Sequence, residues 1–297
     1  MKYNGISVIT CSLRPEICKR MLESIKDTIG VDYETIVSDN REKNLGICKV
    51  YNDCAKKAKY PYLCFIHEDV IMPTLNWGTK MIEFAEKTPN CGVIGFAGGT
   101  IAKKNFIGWE YGAKCRCRYY DPGSLDIEDM KIINGLSFKY NNPENEEFAK
   151  VVTLDGVLLF VSKDIWEENP FDEINIEGFH FYDSDFSLNI AQKYQNYVCL
   201  IADIYHFSFG NPDRKYWEYA RLFQIKWKNI LPYCTEDQKA TFIDELNGAK
   251  DLFIQSGKHG FMLKQYITHL IKINGFLFFF VFCFFIPVWL GKKIARG

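Results

Sequence analysis

An alternation of segment types in the first third of the chain restricts the fold more than any other feature. Residues 5–10 (GISVIT) are a short apolar run rich in β-branched residues, the mark of a strand covered on both faces. Residues 15–25 begin with Pro15 and place Ile17, Met21, Leu22 and Ile25 at helical spacing. A second strand follows over 33–38 (YETIVS), a turn at Asn44-Leu45-Gly46, a helix over 47–59, a strand over 62–66, a helix over 75–87 and a strand over 91–98. This β-α-β-α-β-α-β order predicts an α/β fold with a mostly parallel central sheet flanked by helices. Ligands of such sheets lie beyond the carboxyl ends of the strands. The polar residues that close the first three strands, Thr10/Ser12, Asp39/Asn40 and His67/Glu68/Asp69, therefore converge on one edge.

The later chain is less regular. Residues 99–150 mix glycines, tyrosines and charges with little periodicity, and read as loops and short strands. Residues 151–162 (VVTLDGVLLFVS) read as a bent strand or strand pair with Asp155-Gly156 at its turn. A helix over 183–194 carries Phe186, Ile190 and Tyr194 on one stripe, and a last strand over 197–204 ends in Tyr205-His206. Residues 213–230 and 236–256 have helical character.

Composition narrows the function. With 47% hydrophobic residues among 297, a sizeable core is available and disorder is disfavoured. Thirty-six basic and 37 acidic residues give a net charge of −1, with no basic excess to hold a phosphate backbone, so no nucleic-acid partner is expected. Eleven irregularly spaced cysteines and no signal-peptide pattern point to free thiols in a reducing cytosol. Cys115 and Cys117 form a lone CxC without the second pair a zinc site needs.

Some of the chemistry-bearing residues admit two readings. Alternate strand residues share a face, so His67 and Asp69 point one way and Glu68 the other. Asp69 either holds a divalent cation or caps the next helix. Asp39 sits where a ligand would meet the second strand, or else only forms a turn with Asn40. Asp183 reads as a helix N-cap, and Asp185 as a first-turn carboxylate favoured by the helix dipole. His206, a lone histidine at a strand end, reads as structural.

The order of these motifs resembles that of the family 2 glycosyltransferases with the GT-A (Rossmann-like) fold. The strand ISVITCS, the strand YETIVSDN and the run NLGICKVYNDCAKKAKYPYLCFIHED look like the donor half. DGVLLFVSKDIW, FYDSDFSLNIAQKYQ and IYHFS look like the acceptor half. The match spans about 200 residues. His67 stands where the family usually has the first Asp of its DxD motif, so the chain is similar to a bacterial subgroup with His-x-Asp. The resemblance implies donor contacts from Thr10, Asp39, Asn44, Gly46, Asn52 and Glu68, and leaves His67 as a metal ligand, a donor contact or a polar strand end. It implies a cation held by Asp69 and His206, with Mn²⁺ favoured over Mg²⁺ because an imidazole takes part. Asp183 is the implied catalytic base, and Asp155, Gly156 and Asp185 the acceptor contacts. The expected activity is inverting transfer of a sugar from a nucleoside-diphosphate donor, a UDP-sugar foremost, to a glycan or lipid-linked acceptor in surface polysaccharide assembly. A non-catalytic nucleotide- or glycan-binding protein on the same scaffold is the alternative. A nucleotidyltransferase is disfavoured, because TCSLRPEICKR lacks the glycine-rich loop.

The expected organisation is a GT-A domain over 1–210 (donor half 1–98, acceptor half 99–210), a helical extension over 211–258 and a membrane-associating segment over 259–297. Residues 276–290 (FLFFFVFCFFIPVWL) hold no charge, and Lys292, Lys293 and Arg296 follow. Fifteen helical residues would reach ~22 Å, short of the ~30 Å hydrocarbon core. The expectation is a peripheral or monotopic anchor at the cytoplasmic face of the inner membrane.

Overall fold

The computed structural model describes residues 4–111, 114–122, 125–126, 131–132, 136–208, 212–258, 268–269 and 271–273. Two compact units emerge, one from residues 1–100 and 115–210, the other from 101–114 and 211–297. The sequence reading places 101–114 in the first unit. Instead, the short strand Ile101–Ala102 pairs with Tyr233–Cys234 of the second.

The first unit begins with β1 (Gly5–Ser12), α1 (Pro15–Thr28), β2 (Asp32–Asp39), α2 (Ile47–Ala55), β3 (Tyr62–Ile66), β4 (Val70–Ile71), α3 (Trp77–Lys87), β5 (Cys91–Gly95) and β6 (Ala97–Gly99). It continues with β7 (Cys115–Pro122), β8 (Leu136–Asn141), β9 (Phe148–Val151), β10 (Thr153–Leu154), β11 (Leu158–Ser162), α4 (Lys163–Glu168), α5 (Tyr182–Ala191), β12 (Gln195–Cys199) and β13 (Tyr205–His206). The seven-stranded main sheet has the order β9-β12-β5-β11-β3-β1-β2. β1, β2, β3, β5 and β12 run in one direction, while β11 lies antiparallel between β3 and β5 and β9 pairs antiparallel with β12. The alternating pattern anticipates the common direction of the first four strands but not the insertion of β11. That strand is as apolar as its neighbours, and nothing local marks its direction.

Burial explains the positions. β1 is covered on both faces, whereas β2 alternates exposed and half-buried residues as an edge strand should. On one face of the sheet, Met21 and Ile25 of α1 and Trp77 and Met81 of α3 join Ile6, Val8, Cys64 and Ile94 in a solvent-free core. Aromatic rings gather around the other face. Phe65 of β3 meets Tyr51 and Phe171 with 4.9 Å between centroids in each pair, and Phe171 stacks on Phe186 of α5 at 4.0 Å. The strand expected over 91–98 breaks at Phe96, where the chain leaves the main sheet for a second one, ordered β10-β6-β7-β13-β4 with β8 beside β7.

In the second unit, α6 (Arg214–Lys226) and α7 (Phe242–Lys258) are the main helices. The Gln224 amide of α6 donates to Phe106 O at 2.8 Å, and Glu245 of α7 accepts from Lys104 N at 3.1 Å. His269 is buried here with its ring bonded to Gln224. Among the described residues no helix is long and apolar enough to cross a membrane. The apolar run 276–290 lies outside the described residues.

Candidate active site

The carboxyl end of β3 opens into His67-Glu68-Asp69, and the chain returns at once as β4. This two-residue strand pairs antiparallel with β13, Val70 opposite His206 and Ile71 opposite Tyr205. A further bond from Phe207 N to Asp69 O (2.8 Å) closes the ladder. Residues 137 positions apart are thereby laid side by side. His206 Nε2 lies 3.5 Å from Asp69 Oδ1 and 3.4 Å from His67 Nδ1. One ligand atom from each of the three lies within 4.8 Å of the others, the metal-competent cluster found among the described residues.

The alternation expected at this strand end is present. Glu68 turns away from the two histidines toward the β1–α1 turn, where Ser12 Oγ (2.8 Å), Leu13 N (3.1 Å) and Arg14 N (2.9 Å) all donate to its Oε2 and Arg14 Nε donates to Oε1 (3.1 Å). Its buried carboxylate braces this turn. Arg14 extends the brace: its Nη2 donates to Asp69 Oδ2 at 3.0 Å, leaving Oδ1 for the cluster. Burial works to raise the Asp69 carboxyl, but His206, His67 and Arg14 outweigh it and hold the group well below the usual carboxylate range. His67 is pushed down by burial and by the facing His206. His206 moves up despite its burial, because Asp69 bonds to it.

The Tyr182 hydroxyl meets both the His67 ring and the Gly156 carbonyl. Its single hydroxyl hydrogen goes to Gly156 O at 3.0 Å, since a carbonyl can only accept. The 2.8 Å bond between the same hydroxyl and His67 Nε2 then has the imidazole N–H as donor. On that assignment the lone pair sits on His67 Nδ1, the nitrogen 3.4 Å from His206 Nε2.

Asp183 follows directly, in the first turn of α5. Phe181, just before, has a left-handed backbone (φ 64°), a conformation costing roughly 1–3 kcal/mol in a bulky residue, and this corner aims the next two side chains. Asp183 Oδ2 accepts from Gly156 N (2.9 Å) and Oδ1 from Ser184 N (2.7 Å). Burial, reinforced by the neighbouring Asp155 charge, pushes its carboxyl up to about 7. A carboxylate tuned near neutrality suits proton abstraction. Asp155 itself accepts from Val157 N (2.9 Å), forming the turn read from the sequence. At Gly156 a Cβ would fall 2.1 Å from the Tyr182 hydroxyl oxygen, so the close approach requires glycine. Asp185 is buried, 3% exposed.

Of the remaining expected donor contacts, Asp39 sits exposed at the end of the edge strand β2. Its salt bridge to Arg41 holds its carboxyl down to about 2. Thr10 is buried in β1 with no partner for its hydroxyl. Asn44 has positive φ (46°), and a Cβ at Gly46 would lie 2.2 Å from Glu177 O, so both have backbone reasons for their identity. Asn52 is a correction. Its amide donates to Phe171 O and Glu173 and accepts from Trp166 Nε1 and Phe171 N, which uses all four hydrogen-bonding positions inside the fold. Sequence reasoning passes over Arg14 and Tyr182. Their signal was adjacency alone, Arg14 two residues past β1 and Tyr182 directly before Asp183. Cys115 and Cys117 are free thiols outside the cluster.

A mostly parallel central sheet flanked by helices, with a polar cluster at its strand ends, is the architecture of the GT-A class of α/β proteins. The Glycosyltransferase like family model matches residues 7–227, and the chain belongs to that family. S. aureus TarS 1–349 superposes with TM-score 0.55 at 14% identity, covering 92% of this chain and 82% of that one. The same protein in complex with UDP gives 0.53 at 11% identity, with 91% and 80% covered. GalNAc-T7 with UDP, GalNAc and Mn²⁺ gives 0.52 at 10% identity, with 93% of this chain and 56% of that one covered. At these identities the likeness establishes the fold. No curated protein sequence matches the chain.

Proposed function

We propose that the protein is an inverting, metal-dependent glycosyltransferase that moves a sugar from a nucleoside-diphosphate donor, UDP-linked foremost, to a glycan or lipid-linked acceptor. The observation that carries the reading is the His67–Asp69–His206 cluster, assembled from distant parts of the chain and joined through the Tyr182 hydroxyl and the Gly156 peptide to the Asp183 carboxylate. The donor set fits a divalent cation: three ligand atoms converge, Asp69 is ionised, and His67 presents its lone pair. Two imidazoles and one carboxylate favour Mn²⁺ over Mg²⁺, which prefers oxygen. When bound, the ion supplies positive charge for the leaving diphosphate.

The chain's own residues do the rest. Asp183, neutral below about pH 7 and ionised above it, takes the proton from the acceptor hydroxyl as that oxygen attacks the anomeric carbon. Asp155, Gly156 and Asp185 border the acceptor side. Asp39, at the end of β2, faces the nucleoside, with Asn44 and Gly46 shaping the turn beside it. The His-x-Asp order, the free thiols and the charge-free run 276–290 support a bacterial enzyme of surface polysaccharide assembly, attached peripherally or monotopically at the cytoplasmic membrane face. The test is a panel of nucleoside-diphosphate sugars with purified protein, following diphosphate release with and without Mn²⁺. Release from one donor, dependent on Mn²⁺, supports the reading. Silence across the panel with acceptor lipids and glycans present refutes it.

A further inference from the structure

Tyr182 lies between two groups that the proposed chemistry uses separately. On one side its hydroxyl accepts from His67 Nε2–H (2.8 Å). On the other it donates to Gly156 O (3.0 Å), and the N–H of that same glycine donates to Asp183 Oδ2 (2.9 Å). The ring is 4% exposed and held edge-on against Tyr51, with centroids 5.9 Å apart, so the hydroxyl has little freedom. The Gly156 backbone comes so near this ring that any side chain there would strike it. Four groups are thus linked in series: ligand imidazole, phenol, peptide, carboxylate.

Resting on the metal-dependent reading above, we infer that Tyr182 is a positioning residue that selects the Nε2–H tautomer of His67, orients its Nδ1 toward the cation, and ties that ligand to the loop holding Asp183. An imidazole can bind through either nitrogen, and the partner of the other nitrogen decides which. Here the partner is a phenol whose own hydrogen is committed elsewhere, so it can only accept. Had Tyr182 lacked the Gly156 carbonyl, its hydroxyl could have donated to Nε2 and turned the wrong nitrogen inward. The second bond therefore matters as much as the first.

Two measurements on the full chain test this, neither needing turnover. In Mn²⁺ titrations followed by the EPR signal of the free ion, Tyr182→Phe should weaken binding by roughly 10–100-fold, the usual effect of losing a hydrogen bond to a metal-bound histidine. In a His67→Asn background the same substitution should change affinity less than about twofold, because its route of action has been removed. An equal loss in both backgrounds overturns the inference. ¹⁵N-histidine NMR of the unsubstituted protein reads the tautomer directly, with His67 assigned from the His67→Asn spectrum. A protonated Nε2 and a pyridine-like Nδ1 are expected, and a protonated Nδ1 overturns the inference. If the wild-type chain binds no Mn²⁺, the metal reading falls and this inference with it. Tight wild-type binding with an unaltered Tyr182→Phe variant sinks the inference alone.

Discussion

Replacing Asp183 by Asn should abolish turnover and, unusually for a buried site, stabilise the fold at alkaline pH relative to the wild type. The folded carboxyl is pushed up to about 7 from an ordinary 3.8, burial first and Asp155 second. A raised carboxylate pKa means that the folded state holds the proton more tightly than the unfolded chain. Its contribution is therefore intact below about pH 4, erodes as pH rises, and levels off above about pH 7. At 1.36 kcal/mol per pH unit the full span is about 4 kcal/mol, of which about 3 kcal/mol falls between pH 5 and pH 8. Asn carries no such cost. It loses one of the two acceptor bonds, to Gly156 N or Ser184 N, for roughly 1–2 kcal/mol, but that penalty does not vary with pH and cancels when the comparison is made across pH. Urea unfolding of both proteins at pH 5, 6, 7 and 8, followed by circular dichroism, should show the variant gaining on the wild type by about 3 kcal/mol over that range. If the two stabilities run parallel with pH, Asp183 is not the strained carboxylate described and its assignment as base loses its physical support. Wild-type kcat/KM should fall with an acid limb near pH 7 that Asp183→Asn cannot show.

Asp69→Asn should lower Mn²⁺ affinity at least 100-fold by calorimetric titration, because the one anionic ligand of the cluster is lost. Arg14→Met should free Asp69 Oδ2 and leave buried Glu68 without its charged partner; a fall in thermal midpoint and a weaker Mn²⁺ site are expected together. Asn52→Ala should cost about 3 kcal/mol in urea unfolding, since it strands buried groups at Trp166 and Phe171, while Mn²⁺ affinity stays within about twofold. Gly156→Ala should damage Mn²⁺ binding and turnover alike, as its Cβ would sit 2.1 Å from the Tyr182 hydroxyl oxygen.

The strand ends were readable because polar residues interrupt apolar runs there, and the direction of the parallel strands followed from the helices between them. Asp69 and His206 could be paired only through resemblance. The strands that join them, β4 and β13, are two residues each and carry no periodic signal of their own. Glu68 and Asn52 show the opposite limit. A carboxylate or amide at a strand or helix end has the same chemistry whether it meets a ligand or braces a turn, and only burial and partners separate the two uses. Tyr182 was invisible for a related reason: in sequence, a tyrosine before a helix reads as core, and its hydroxyl matters because of a carbonyl 26 positions away.

The short ladder between β4 and β13 also governs when the site comes into being during synthesis. The first strands and Asp69 leave the ribosome more than a hundred residues before His206, so a nascent chain carries most of the sheet edge well before the His67–Asp69–His206 cluster can form. Once the ladder closes, a captured ion binds the folded chain far better than the open one and draws the equilibrium toward closure. On the metal-dependent function proposed above, supply of the divalent cation should therefore set not only turnover but the yield of protease-resistant protein as each chain finishes.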